Sequence, residues 1–322
     1  MALDRRILRT YSMLGESGSL FTQLAECAKT DENISVLTAD LGNSSGLNKF
    51  MRDCPDKFYN IGIAEQNMIG IAAGMAKVGL KVFAVTFTTF ITMRACEQVR
   101  VNLGYMKLPI KIIGTRAGII NGIFGNSHYA IEDISIMRAI PNLTIVAPAD
   151  AFEAVKVLDA AINFNAPMYI RLTGKLNTPM VYKDDYNFEI GKAVVLREGS
   201  DVAIFSVGTL TANALKAANI LESNGISAAV INMHTIKPLD TEILDKYFST
   251  AKLIATVEEH SIIGGLGGAV AEYKAGKKSA PPQIFIGLPD IYGKAAEYEF
   301  LLDRYGLTAE KISATIIQNL RG

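Results

Sequence analysis

Short apolar, β-branched runs alternate along this chain with helix-like stretches, and that alternation constrains its fold more than any other feature. ISVLTA (34–39), KVFAVT (81–86), IKIIG (110–114), LTIVA (143–147) and MYIRL (168–172) are near-continuously apolar. Continuous apolarity fits strands buried on both faces, as in a parallel sheet covered by helices. Helical patterns over Glu65–Val78 and Thr89–Leu103 lie between such runs. Residues 174–190, GKLNTPMVYKDDYNFEI, carry a Pro and polar residues without a sustained period, and read as a linker. A second alternation follows in DVAIFSV (201–207), SAAVIN (227–232), KLIATV (252–257) and QIFIG (283–287). The expectation is an α/β protein of two doubly wound domains, 1–175 and a smaller 191–322, joined by a linker at 176–190.

Apolar residues make up 49% and charged residues 20% of the 322 positions, which excludes a disordered or fibrous chain. Lys+Arg and Asp+Glu both number 32, so no whole-molecule field draws in nucleic acid or an anionic membrane. The first residues lack the apolar core of a signal peptide, and no stretch of ~20 apolar residues offers a membrane span. A cytoplasmic location is expected. Cys27, Cys54 and Cys96 are odd in number and far apart, so they read as reduced, packed thiols.

The most informative stretch is Tyr59–Met75, YNIGIAEQNMIGIAAGM. It delivers Glu65 at the start of a helix rich in small residues, which let another backbone approach closely. A lone glutamate there reads first as an acid suited to the positive end of the helix dipole. The surrounding string changes that reading, because IGIAEQNMIGIAAGMA resembles the thiamine-diphosphate signature of the transketolase family. The resemblance continues in VLTADLGNSSG (36–46), FTTFITMRACEQVR (87–100), GNSHYAIEDISIMRAIPNLTIVAPADA (125–151), VINMHTIKPLD (230–240) and VEEHSIIGGLGGAVAE (257–272). It covers most of the chain and implies a pyrimidine-binding domain with a parallel sheet, followed by a transketolase C-terminal-like domain with a mixed sheet.

The resemblance also implies roles. Glu65 matches the glutamate that hydrogen-bonds N1′ of the pyrimidine and favours the imino form of its 4′-amino group, which removes the thiazolium C2 proton. Phe90 matches the ring stacked on the pyrimidine, with Phe87 and Met93 lining the same pocket and Asp40 also on the cofactor side. For the three apolar residues ordinary core packing is an equal reading. His128, in GNSH, matches a catalytic, substrate-contacting histidine, and Ser44 a position that meets a substrate phosphate or hydroxyl. His234 and His260, the other two histidines, read as structural.

No GDG, the family's Mg²⁺-binding sequence, occurs in the chain. The implied enzyme is therefore split. Thiamine diphosphate would lie across an interface with a companion N-terminal-section chain that carries GDG and most of the Mg²⁺ (or Ca²⁺) ligands, and two copies of each chain would make an α2β2 heterotetramer. The chain also departs from the family where it reads substrate. Ile123-Phe124-Gly125 stands for Glu-Asp-Gly, Arg116 for a histidine, Gly174 (with Lys175 beside it) for an arginine, and no arginine stands near Glu16–Ser17. Phe124 accepts no hydrogen bond, so a hydroxyl placed there loses about 1–3 kcal/mol. The expectation is an unusual ketose or acceptor, such as a deoxy, branched, sulfonated or nucleotide-linked sugar, with Arg116 and Lys175 as candidate cationic contacts.

The reaction implied is transfer of a two-carbon ketol unit to an aldehyde. Two alternatives stay open: the beta subunit of a 2-oxo-acid dehydrogenase, and a catalytically silent scaffold subunit. A 1-deoxyxylulose-5-phosphate synthase fits less well, being normally one longer chain. The cluster Gly264-Gly265-Leu266-Gly267-Gly268 follows a strand but has the wrong spacing for a dinucleotide site, and reads as helix-on-sheet packing.

Overall fold

The computed structural model describes residues 4–174 and 176–321, so the Lys175 assignment lies outside the described residues. Six strands come first: β1 (Ile34–Thr38), β2 (Phe58–Asn60), β3 (Lys81–Phe87), β4 (Lys111–Thr115), β5 (Thr144–Val146) and β6 (Met168–Arg171). They pair in parallel in the order β5-β6-β4-β3-β1-β2. Every residue of β1, β4, β5 and β6 is buried, which is why these strands show no alternation in the sequence.

One face of this sheet is covered by the helices Arg5–Thr30 and Ala151–Ile162, whose Leu20, Phe21, Leu24, Val157 and Leu158 join one apolar cluster with the strands. The other face takes the helix Glu65–Lys77, through Met68, Ile69, Ala72 and Ala73, and the segment Phe90–Tyr105, through Ile91, Val99 and Leu103. That segment is helical as expected, but two π turns, Phe90–Arg94 and Arg100–Tyr105, flank a short α stretch.

The second sheet is built from β7 (Val194–Arg197), β8 (Val202–Ser206), β9 (Ala228–Asn232), β11 (Leu253–Ser261) and β12 (Gln283–Leu288), in the order β12-β11-β8-β9-β7. Only β7 runs antiparallel, so the sheet is mixed. The remaining strand, β10 (Thr235–Lys237), leaves this sheet and pairs antiparallel with β5 at the edge of the first one. The cluster on the Glu65 helix side continues through Phe205, Ile231, Leu266 and Val270, so one apolar layer joins both sheets.

Residues 176–190 hold no regular element, yet they are tied down. Asp150 Oδ2 accepts the Val181 and Tyr182 N–H groups at 2.7 and 3.0 Å. The buried Glu153 accepts from the Tyr182 and Tyr186 hydroxyls and from Asn232 Nδ2. The glycine cluster packs helix on sheet: Glu258 accepts the Leu266 and Gly267 N–H groups at 2.7 and 2.8 Å. A Cβ at Gly267 would stand 2.4 Å from the Phe285 ring.

Candidate active site

Parallel α/β sheets build sites at the carboxyl ends of their strands, where connecting loops diverge. Asp40 follows β1, Phe87 ends β3, Arg116 follows β4 and Gly174 follows β6, all on that edge. Asp40 takes a positive φ of 58° and is exposed. Asn60 holds it from β2: Asn60 Oδ1 accepts the Asp40 and Gly62 N–H groups at 3.0 and 3.1 Å, and Asn60 Nδ2 donates to Asp40 Oδ1 at 3.0 Å. Gly62, at φ 77°, then turns the chain into the helix that begins at Glu65.

Glu65 is only 5% exposed. Its Oε1 accepts from Arg94 Nη1 at 3.1 Å, and Oε2 accepts no hydrogen bond among the described residues. Arg94 also places its guanidinium carbon 3.9 Å from the centroid of the Phe90 ring. The π turn makes this possible, because it carries both Phe90 and Arg94 toward the Glu65 helix. Phe90 packs 5.8 Å from Phe87 and 5.6 Å from His128, ring centroid to ring centroid. His128 also lies 6.5 Å from Phe87 and 5.2 Å from Phe124, and its Nδ1 is 3.0 Å from Ser127 Oγ. Residues scattered between positions 65 and 128 thus form one aromatic wall beside one carboxylate. Met93 sits on the same turn, half exposed.

A second region adjoins the first through the neighbouring strands. Phe87 is the register partner of Thr115, and Arg116 comes next. Arg116, at φ 59°, lines a cavity of about 420 Å³ with Ser17, Ser44, Lys49 and Gly174. Burial lowers its guanidinium pKa from the ordinary value. The structure therefore separates the sequence candidates into two sets: Glu65, Phe87, Phe90 and His128 around the aromatic wall, and Ser44 with Arg116 around this cavity.

Three features escaped the sequence reading. Glu16 lies fully buried beside the cavity, where Gly15, at φ 67°, breaks the long first helix. Its Oε2 accepts the Thr173 and Gly174 N–H groups at 2.8 and 3.2 Å, Oε1 has no partner, and burial pushes its pKa up to about 8. Arg94, in the string TMRAC, gave no periodic signal. Arg171, at the end of β6, pairs with the buried Asp133 and donates to the Ala130 and Glu259 carbonyls at 3.3 and 2.8 Å. A charged residue inside an apolar strand run was the available signal for it.

A buried carboxylate with one open oxygen beside an aromatic face fits the edge and plane of a protonatable heterocycle such as a pyrimidine. Among the described residues, no group of three or more His, Cys, Asp or Glu side chains is placed to hold a metal ion. No described helix is long and apolar enough to cross a membrane.

Residues 19–179 match the transketolase pyrimidine-binding domain, and residues 191–312 match the transketolase C-terminal domain. The chain is 42% identical over 300 residues to a putative transketolase C-terminal section of Methanocaldococcus jannaschii, covering 92% of this chain and 94% of that one. It is 38% identical over 291 residues to the 6-deoxy-6-sulfo-D-fructose transketolase subunit SqwH of a Clostridium species, covering 90% and 89%. A solved split-gene transketolase, described as an inactive beta4 tetramer, superposes with a TM-score of 0.86 at 39% identity, covering 96% of this chain and 98% of that one. With both domain types in order and relatives matched along nearly their whole length, the chain belongs to the transketolase family, as a subunit of the split kind.

Proposed function

We propose that this chain is the pyrimidine-binding and C-terminal half of a two-chain enzyme that moves a two-carbon ketol unit from a ketose to an aldehyde acceptor. The observation that carries the reading is the convergence of Glu65, Phe90 and His128 at one strand edge. Thiamine diphosphate, when bound, supplies the nucleophilic carbon and the electron sink. Glu65 would hold the pyrimidine edge through its open Oε2 and share a proton there. Phe90, Phe87 and Met93 would line the ring, with Asp40 on the same edge. His128 would meet the substrate near the reacting carbon and take or return its proton. Ser44 and Arg116 would hold the far, anionic end of the substrate in the neighbouring cavity.

A companion chain supplying the diphosphate and Mg²⁺ ligands belongs to this reading. It is supported by the split architecture of the matched relatives and by the lack of a GDG sequence here. The domain division at 1–175, 176–190 and 191–322 is part of the same proposal. Phe124 and Ile123 stay 61% and 60% exposed next to His128, an apolar wall with no side-chain acceptor. That wall favours a substrate lacking a hydroxyl at the position it meets.

The test is reconstitution with the companion chain and Mg²⁺. Cofactor binding and ketol transfer are expected only in the mixture, and Glu65→Gln is expected to abolish transfer while the two chains still associate. Full activity with stoichiometric cofactor in this chain alone would overturn the split assignment. Turnover of a 2-oxo acid with a lipoyl acceptor, and none of ketoses, would select the dehydrogenase alternative.

A further inference from the structure

The segment from Arg116 to Tyr129 carries Arg116, Phe124 and His128, yet it contains only one short helical turn, Gly122–Phe124. Much of its fixing comes from the C-terminal domain. Glu259, near the end of β11 and 3% exposed, accepts the Ile119 N–H through Oε1 at 2.8 Å and the Tyr298 hydroxyl through Oε2 at 2.7 Å. The stretch just before Tyr298 adds further ties. Asn126 Nδ2 donates to the Gly293 carbonyl at 2.7 Å, the Tyr129 hydroxyl donates to the Lys294 carbonyl at 3.1 Å, and the Ala296 N–H donates to the Gly122 carbonyl at 3.1 Å.

The approach is too close for side chains at two positions. A Cβ at Gly118, which also holds φ 71°, would stand 2.1 Å from Glu259 Oε1. A Cβ at Gly122 would stand 2.3 Å from the Ala296 carbonyl oxygen. A buried carboxylate is costly unless its oxygens are satisfied. Glu259 spends one oxygen on the loop of the first domain and the other on Tyr298, where the helix Tyr298–Arg304 begins. It is a tie between domains at the start of the His128 loop.

We infer that Glu259 is a positioning residue: with Tyr298 it sets the Arg116–Tyr129 loop so that His128 stands against Phe90. The role rests on the reading of His128 as a substrate contact. A loop with so little regular structure of its own otherwise drifts, and a misplacement of about 1 Å at a reacting group costs on the order of a hundredfold in rate.

The test uses Tyr298→Phe, which removes one hydroxyl, and Gly118→Ala, which displaces the Glu259 carboxylate without changing it. Hydrogen exchange of the full chain is expected to quicken within 117–130 and to stay unchanged within 65–77. In the two-chain enzyme both variants should lower kcat/KM about tenfold to a hundredfold while thiamine diphosphate binds as before. Glu259→Gln, which keeps one carbonyl acceptor, should fall between these variants and Glu259→Ala. Unchanged exchange in 117–130, equal quickening in 65–77, or unaltered kcat/KM with a loosened loop would each overturn the inference. Failure of the functional reading is separate, because it appears as an inactive wild-type pair.

Discussion

Arg94 Nη1 lies 3.1 Å from Glu65 Oε1 while the same guanidinium covers the Phe90 ring at 3.9 Å. One cation therefore touches both the carboxylate and the Phe90 ring. Arg94 is half exposed, so the ion pair is screened and its direct contribution is about 1 kcal/mol or less. Glu65→Gln keeps the shape and loses the charge. Ketol transfer by the two-chain enzyme is expected to fall by at least about a hundredfold, with urea unfolding of the chain displaced by no more than about 1 kcal/mol. A double-mutant cycle with Arg94→Gln should return a coupling of about 0.2–1 kcal/mol. Turnover surviving in Glu65→Gln would remove this residue from the mechanism.

The Phe124 ring sits 5.2 Å from His128, centroid to centroid, and faces solvent on its other side. Phe124→Asp introduces an acceptor without disturbing a packed core. The ratio of kcat/KM for a hydroxylated ketose over its deoxy analogue should rise roughly five- to 150-fold, the equivalent of about 1–3 kcal/mol. Steady-state competition between the two donors measures it, and an unchanged ratio would place Phe124 away from the substrate.

Arg116 meets the cavity from a positive-φ position and has no carboxylate partner among the described ion pairs. If it holds an anionic tail, Arg116→Gln should raise KM for phosphorylated or sulfonated ketoses about tenfold or more, with kcat little changed. Equal loss on a neutral ketose would show that the residue serves the loop rather than the anion.

Glu16 and His234 shape the pH dependence of stability from opposite sides. Burial raises the Glu16 carboxyl to about 8, so the folded chain holds a proton that the unfolded chain releases from about pH 4.5 upward. Its contribution is complete below pH 4.5 and is lost progressively as pH rises through about 8. Burial lowers His234 to about 4, so its contribution is present above pH 6.5 and is lost as pH falls toward 4. Glu16→Gln retains an oxygen for the Thr173 and Gly174 N–H groups. It should raise stability at pH 8 by about 1–3 kcal/mol and leave pH 4.5 nearly unchanged. Denaturant melts at the two pH values decide this, and a uniform loss at both would show that Glu16 is ionised in the folded chain.

The nine strand runs read from the sequence all appear as strands; burial on both faces leaves an unbroken apolar string in most of them, while β12, an edge strand, is only partly buried. The short strands at Phe58–Asn60, Val194–Arg197 and Thr235–Lys237 gave no such string; each lies at an edge of its sheet, where one side lacks a pairing partner. The roles proposed for Glu65, His128 and Phe90 rest, on the sequence side, on the long distinctive strings around them.

Sequence alone determined the α/β class, the succession of two doubly wound units and the family, since each is written in contiguous residues. Only the tertiary structure decided that Arg94 meets Glu65, that Glu16 is buried at the Gly15 kink, that β10 crosses to the first sheet, and that Glu259 reaches Ile119. The Arg94–Glu65 and Glu259–Ile119 contacts join residues 29 and 140 positions apart. A single sequence carries no period for such pairs, because a charge is stabilised by whatever donor the fold brings within about 3 Å, and that neighbour is set by packing rather than by order along the chain.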